Sequence, residues 1–195
     1  LNWISKEKGK FAPLFGVSLK NLEMKSLSAE KISVPENPFE LTREEAKVIG
    51  TENDETDTIW LGYYNEPRLI YTAPAFKKGP WKASNRRTVH IAIDVFANKG
   101  TKLYAPMEGE VFTAEYRDSP LDYGGVVILK HTTPDNDEFF TLYGHLDPQF
   151  LDVLQVGDKI DKGQEFCKLG GPDVNGGWAP HVHFQIAMTT DGMEA

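Results

Sequence analysis

The stretch Trp178-Ala-Pro-His-Val-His-Phe-Gln-Ile186 ends in a regular alternation of polar and apolar side chains. Residues two apart on a β-strand share a face, so this stretch predicts a strand with His181 and His183 on one face and Val182 and Phe184 on the other. The apolar face can be buried, while the opposite face presents two imidazoles side by side, as a metal site or an acid–base site requires. A polar strand face with two solvated histidines has the same pattern, so the choice between them depends on the rest of the chain.

The composition is that of a chain able to bury a core. Its 195 residues are 40% hydrophobic and 11% aromatic, which suits one domain with an extension or two small domains. A formal net charge of −8 argues against nucleic acid or an anionic membrane as the main partner. No apolar run approaches the length of a membrane span. The single cysteine, Cys167, excludes an internal disulfide framework.

The N-terminal part of the sequence is polar and predicts an irregular extension or linker over residues 1–58. Within it, Thr42-Arg-Glu-Glu45 is a capping-box pattern that predicts a short helix from Arg43 to Ile49. Because the sequence begins with leucine rather than methionine and stops without an evident terminal signal, we expect a piece of a longer protein.

The remaining residues, 59–195, predict an all-β domain. Residues 59–64 and 68–72 are rich in aromatic and branched side chains and flank Asn65-Glu-Pro67, which predicts a β-hairpin. Further short strand-like runs follow, separated by Gly, Pro, Asn and Asp, as is typical of a sandwich or barrel. We therefore expect an antiparallel two-layer β-sandwich.

A second polar strand face lies in Thr88-Val-His-Ile-Ala-Ile-Asp-Val95, where His90 and Asp94 share a face with Ala92. Four residues of extended chain span roughly 13 Å, which is too far for two ligands of one ion. If both residues bind a metal, the chain has to bend between them, and the small side chain of Ala92 leaves room for the bend.

His90, Asp94 and a histidine of the 181–183 pair make a three-ligand set with an open fourth position, which is typical of catalytic rather than structural zinc. The imidazoles disfavour ions that prefer oxygen ligands alone. His131 and His145 end two further apolar strands. Each histidine taken singly fits a structural role, but five histidines in or beside predicted strands favour a shared site.

The ordered set His90-x-x-x-Asp94, Tyr143-Gly-His-Leu146 and His181-x-His183 resembles the lysostaphin-type zinc metallopeptidases, which cut short peptide bridges in bacterial cell walls. The resemblance covers roughly residues 68–188. It implies a barrel-sandwich hybrid, or duplicated hybrid motif, fold. It also implies a Zn²⁺ ion and the following roles: His90, Asp94 and His183 as metal ligands, His145 and His181 as catalytic residues, and His131 as a strand-end residue away from the metal.

Two features depart from that family. Ala92 stands where the family usually has glycine, and the loop of residues 170–179 lacks the usual Ser/Thr/Gly-rich sequence. Both departures bear on substrate choice more than on metal binding.

A closer resemblance is to a peptidase-like segment of large multidomain proteins, where it lies between an aminoglycoside-phosphotransferase-like domain and a class III aminotransferase domain. The residues that carry it are Tyr64-Asn-Glu-Pro-Arg68 with Ile70-Tyr71, Trp81, and the run from Trp178 to Gln185. It implies neighbouring domains in a longer parent chain and a cytoplasmic location, whereas typical family members imply the cell envelope or periplasm.

The sequence therefore predicts amide hydrolysis by a zinc-activated water, with a peptide or peptidoglycan-like substrate, and leaves the acid–base roles of His145 and His181 undivided. The alternative is a metal-binding module that recognises a ligand or tethers its neighbours without cleavage. A third class, the biotinyl or lipoyl carriers, shares the half-motifs at residues 100–111 and 156–166. A carrier needs a lysine at its hairpin tip, and Met107-Glu-Gly109 has none.

Overall fold

β-Strands make up nearly all of the regular structure in the computed structural model, which describes residues 2–6, 9–16, 22–27, 59–68, 71 and 89–191. The helices in these ranges are α1 (Asn2–Lys6) and a 3-10 helix (Pro148–Asp152), and Tyr71 also has 3-10 helical structure. The strands are β1 (Glu23–Lys25), β2 (Trp60–Gly62), β3 (Glu66–Pro67), β4 (Val89–His90), β5 (Ile93–Phe96), β6 (Lys102–Tyr104), β7 (Gly109–Arg117), β8 (Gly124–Thr132), β9 (Glu138–Leu146), β10 (Lys159–Ile160), β11 (Glu165–Lys168) and β12 (His181–Ala187). The all-β prediction is confirmed.

Eight strands form one large sheet in the order β1-β2-β5-β12-β9-β8-β7-β10. Its pairings are antiparallel except for the parallel pair β1–β2. Strand β12 lies between β5 and β9, so His183 is opposite Asp94 on one side and Gly144 on the other. This register brings the polar faces of β5 and β12 together in the middle of the sheet.

The second layer is the small antiparallel sheet formed by β6 and β11. Leu103 of β6 and Phe166 of β11 pack in one core cluster with Val127, Leu129 and Val182 of the large sheet. The alternation in β12 explains this contact, because Val182 points into the core while His181 and His183 point to the opposite face. The main core cluster therefore lies on one side of the large sheet, and His181 and His183 lie on the other side, where a smaller apolar cluster includes Val126, Ile128 and Leu142.

The predicted hairpin over residues 59–72 is wrong where the structure describes it. Strand β2 pairs with β1 and β5, whereas β3 pairs with β4 in a separate two-stranded sheet. A turn with Asn65 at φ 58° does join the two strands. Trp60 and Leu61, however, pair with Phe96 and Val95, so the open edge of β5 satisfies the backbone groups that a local hairpin would have used.

The described parts of residues 1–58 pack against the rest of the protein. Leu14 and Phe15 belong to the main core cluster, and Leu27 is fully buried. The predicted helix from Arg43 to Ile49 lies outside the described residues, and a domain boundary at residue 58 stays a prediction. Among the described segments, no helix has the length and apolar character needed to cross a membrane.

His131 in β8 occupies a buried polar position apart from the other four histidines. Its Nδ1–H donates to the carbonyl oxygen of Glu108 at 2.7 Å, and its Nε2 lies 2.7 Å from the Thr141 hydroxyl. Burial lowers the pKa of His131, although the bond to Glu108 acts in the opposite direction. The position fits a structural residue that is neutral in the folded state.

We expect this residue to make the fold less stable in mild acid. As the pH drops below about 6.5, the unfolded chain takes up a proton that buried His131 resists, so stability falls by up to about 1.4 kcal/mol per pH unit. Above that pH the imidazole is neutral in both states and contributes no pH dependence. Urea unfolding of wild type and His131→Gln across this range measures the effect. The glutamine variant should show a flatter profile, and equal slopes would contradict the assignment.

Candidate metal centre

His90 and Asp94 approach each other because the chain bends between them. Strand β4 ends at His90 and β5 begins at Ile93, with a bend at Ala92. Nε2 of His90 lies 3.2 Å from Oδ1 of Asp94. The bend that the spacing requires is therefore present. It leaves Ile91 46% exposed, whereas His90 and Asp94 are each 1% exposed, so the polar face is the buried one.

His183 completes a triangle with these two residues. Its Nδ1 lies 3.4 Å from Oδ1 of Asp94 and 3.0 Å from Nε2 of His90. All three side chains are at most 3% exposed, and in the described part of the chain they form the group that could hold a metal ion. Two imidazole nitrogens and a carboxylate oxygen carry lone pairs, so their convergence away from water calls for a cation or a shared proton between them.

The carboxylate of Asp94 has two different environments. Oδ2 accepts a hydrogen bond of 2.6 Å from Nη1 of Arg68. Oδ1 faces the imidazoles and has no hydrogen-bond partner among the described residues. Burial alone would raise the pKa of Asp94, but the nearby His90, Arg68 and His181 hold that pKa well below its usual value. Asp94 is therefore an ionised carboxylate with one oxygen directed at the candidate ligands.

His181 and His145 lie beside the triangle with their rings 4.3 Å apart. Nδ1–H of His181 donates to the carbonyl oxygen of Ala179 at 2.6 Å, and Nδ1–H of His145 donates to that of Asn175 at 3.0 Å. A carbonyl can only accept, so in each neutral ring the lone pair is on Nε2. Burial lowers the pKa of both rings, and the neighbouring His181 and His183 add to the effect on His145. Both rings are thus set to accept a proton through Nε2.

A β-bulge turns His145 towards this site. Gly125 is opposite Leu146, but Val127 is opposite Tyr143, so β9 has an extra residue at this point. His145 adopts φ 64° there, in the left-handed region. Plain alternation would place His145 on the same face as Tyr143, which packs in the core. The bulge instead directs His145 to the face of His181 and sends Leu146 into the core.

The walls of the site enclose little space. The cavity has a volume of about 30 Å³, which is room for one or two water-sized groups. Besides the four histidines and Asp94, it is lined by Arg68, Tyr71, Leu121, Asp122, Tyr123 and Trp178. In this structure the site has room for an ion and water, with the larger side chains closing around it.

Three residues that support the site were not found as site residues from the sequence. Arg68 holds Asp94, and the hydroxyl of Tyr123 lies 3.4 Å from Nε2 of His183. Asn175 is fully buried, and its side chain bonds to Trp178 and Gly170 across the loop of residues 170–179. Of the three, only Asn175 had a signal in the sequence: it stands before Gly176-Gly177, a pattern typical of a tight loop.

We expect Gly176→Ala to disturb this loop and the orientation of His145. Gly176 has φ 87°, and a Cβ atom there would overlap the carbonyl oxygen of Asp122. Gly177→Ala is a matched control, because Gly177 has φ 92° but no described atom lies within 4 Å of the point that its Cβ atom would occupy. Thermal unfolding should show Gly176→Ala less stable than the control by about 1–3 kcal/mol, the usual range for overpacking. Equal stability of the two variants would show that the loop accommodates a Cβ atom next to the carbonyl oxygen of Asp122 without cost.

Residues 88–194, more than half of the sequence, match Peptidase family M23, and the chain therefore belongs to that family. The predicted family resemblance is confirmed at this level. No curated protein matches the chain.

Several solved structures are similar. A zinc-containing peptidase from Vibrio cholerae is 20% identical with a TM-score of 0.42, over 59% of this chain and 34% of that one. Csd3 from Helicobacter pylori is 25% identical with a TM-score of 0.39, over 64% and 32%. The catalytic domain of the antimicrobial peptidase lysostaphin from Staphylococcus simulans is 24% identical with a TM-score of 0.42, over 65% and 77%. The chain thus spans about a third of the first two proteins, and its family assignment depends on residues 88–194.

Proposed function

We propose that the protein is a zinc-dependent peptidase that hydrolyses amide bonds. The observation that carries the proposal is the triangle of His90, Asp94 and His183, whose ligand atoms are 3.0–3.4 Å apart. Ligands at 2.0–2.1 Å from a tetrahedral zinc ion lie about 3.3 Å from one another. Two imidazoles and one carboxylate also disfavour ions that prefer oxygen alone. Three protein ligands leave the fourth position for water or substrate, as in catalytic zinc sites.

The chain's own residues supply the proton transfers. A bound zinc ion would lower the pKa of a water molecule and polarise the substrate carbonyl. His181 and His145 each offer a neutral Nε2 that can take a proton from the attacking water and later return it to the leaving amine. The carbonyl oxygens of Ala179 and Asn175 hold the two Nδ1–H groups and so stabilise either ring when it becomes charged. Because His181 and His145 are hydrogen-bonded in the same way, the roles of general base and general acid are not assigned to one ring or the other.

The proposed substrate is a peptide or a peptidoglycan-like peptide. Membership in a peptidase family supports the reaction class. Tyr71, Tyr123 and Trp178 line the site, so a substrate would have to pass between these side chains to reach the metal ligands.

A second candidate is a metal-binding module that does not cleave. The near-complete burial of the site favours it, since His90, Asp94, His145, His181 and His183 are all at most 5% exposed. A substrate can reach such a site only after its walls move. Under this alternative the module would recognise a ligand or hold neighbouring domains together.

The deciding experiment measures metal and hydrolysis on the same samples. Wild type and His90→Ala are analysed for metal content and then incubated with glycine-rich and D-amino-acid peptides. The peptidase proposal expects about one zinc per chain and cleavage in wild type, with both lost in the variant. Zinc without cleavage of any peptide would favour the binding module, and no zinc even after reconstitution would contradict both.

We also propose a longer parent chain with phosphotransferase-like and aminotransferase domains and a cytoplasmic location. The support is the sequence resemblance around residues 64–71 and 178–185. Antibodies against this domain should detect a much larger polypeptide in the soluble cytoplasmic fraction. A small product in the cell envelope would contradict the proposal.

A further inference from the structure

A buried chain of charges runs from β3 to the candidate metal centre. Nη1 of Arg68 donates to Oδ2 of Asp94 at 2.6 Å, and Nε of Arg68 lies 3.3 Å from Oε2 of Glu66. Glu66, Arg68 and Asp94 are 5%, 7% and 1% exposed. Neither Glu66 nor Arg68 is among the candidate metal ligands, so their charges need another explanation.

Stability is a weak explanation for such a chain. Removing charged groups from water costs several kcal/mol for each ion, and well-packed apolar residues of similar volume often stabilise a protein as much or more. The rigid, planar guanidinium of Arg68 does, however, contact both carboxylates at once, with Nε towards Glu66 and Nη1 bonded to Oδ2 of Asp94, and so fixes where each carboxylate lies. The chain is therefore better suited to holding Asp94 in one orientation than to stabilising the fold.

The orientation it imposes is the one a metal requires. With Oδ2 bound to Arg68, Oδ1 is the oxygen left for the triangle, at 3.2 Å from His90 and 3.4 Å from His183. Gly62 makes room for the guanidinium, since a Cβ atom there would lie 3.0 Å from Nη2 of Arg68. The backbone of β2 thus lies against the arginine that orients the ligand.

Glu66 connects this arginine to the N-terminal part of the chain. Its Oε1 accepts hydrogen bonds from the backbone N–H of Leu27 at 2.8 Å and from the Ser26 hydroxyl at 2.7 Å. Both residues directly follow β1, which pairs with β2 in the large sheet. Docking of the β1 segment therefore fixes Glu66, Glu66 fixes Arg68, and Arg68 fixes Asp94.

We propose that Arg68 is a positioning residue for the metal ligand Asp94, and that Glu66 couples the docked β1 segment to metal affinity through Arg68. The inference rests on the metal site of the proposed function but not on hydrolysis. It assigns a role to Ser26, Glu66 and Arg68, which lie outside the matched family residues 88–194.

The test measures the zinc dissociation constant by competition with a chromophoric chelator. A positive charge beside the site repels a cation, so losing that charge alone would tighten zinc binding. Positioning predicts the opposite sign: Arg68→Met should weaken zinc binding by about 10–100-fold, the usual effect of losing a residue that orients a ligand. Arg68→Lys keeps the charge without the planar fork and should also bind zinc more weakly than wild type. Glu66→Gln and Ser26→Ala should weaken it in decreasing steps.

Lys102→Ala is the matched control. It also removes one positive charge from an ion pair, but that pair with Glu165 is exposed, and the zinc affinity should not change. Circular dichroism of each metal-free variant establishes whether it is folded. If Arg68→Met does not fold, the zinc affinity of Glu66→Gln tests the inference instead. Unchanged or tighter zinc binding by folded Arg68 and Glu66 variants would overturn the inference while leaving the metal site intact. Absence of zinc binding by wild type would overturn the metal site itself and the inference with it.

Discussion

Replacing His183 with alanine is expected to remove metal binding and hydrolysis together. Nδ1 of His183 is one corner of the triangle, at 3.0 Å from His90 and 3.4 Å from Asp94. Without it, two ligands remain, and the catalytic zinc sites of proteins use three. The zinc content should fall from about one per chain to near zero, and peptide cleavage should fall to background. Elemental analysis after exhaustive dialysis and a cleavage assay on the same sample measure both.

His131→Gln is the control for this variant, because it also removes a buried histidine but leaves the triangle unchanged. It should retain full zinc content and cleavage at neutral pH. If His183→Ala kept its zinc, the metal would be bound by other residues, and the assignment of the triangle would be wrong.

Replacing His181 or His145 with alanine is expected to leave zinc in place and to lower turnover. Each ring presents an unprotonated Nε2 beside the triangle, and a positioned acid or base contributes about 10²–10⁴-fold to the rate. Nε2 of His181 lies 3.8 Å from Oδ1 of Asp94, farther than either candidate ligand nitrogen. Metal content and the turnover number, measured for each single variant, separate proton transfer from metal binding.

The double variant His145→Ala/His181→Ala tests whether the two rings act as one unit. If both rings act on the same proton one after the other, the turnover number of the double variant should be only slightly below that of the slower single variant. Effects within one catalytic unit are far from additive. Multiplied effects would indicate separate roles for the two rings. Loss of zinc in His181→Ala would show instead that His181 is a ligand.

Strand β12 could be predicted from the sequence because its information is local. The alternation from His181 to Ile186 requires only the twofold repeat of a strand, and the structure has the predicted faces. The bend between His90 and Asp94 followed from the length of extended chain, on the condition that both residues bind one metal ion. Both inferences used residues within a few positions of one another.

The features that sequence reasoning missed depend on distant contacts. Arg68 reaches Asp94 across 26 positions, and Tyr123 reaches His183 across 60. The expected hairpin failed for the same reason, because β2 pairs with β1 and with the distant β5, whereas the next strand, β3, pairs with β4. The bulge in β9, without which His145 would point into the core, has only the weak local signal of Gly144. Such contacts depend on the order of the strands in the sheet. The alternation of polar and apolar residues along the sequence does not predict that order.

The backbone of His145 also links this site to natural selection. A residue other than glycine at φ 64° carries a conformational cost of about 1–2 kcal/mol, which glycine would avoid and asparagine would reduce. Backbone strain of this kind clusters at functional sites, where the surrounding structure holds it in place. In a related chain without the proposed hydrolysis, glycine or asparagine at this position would remove or reduce that backbone cost. We therefore expect the amino acid at this position in related chains to differ between those with and those without the proposed hydrolysis.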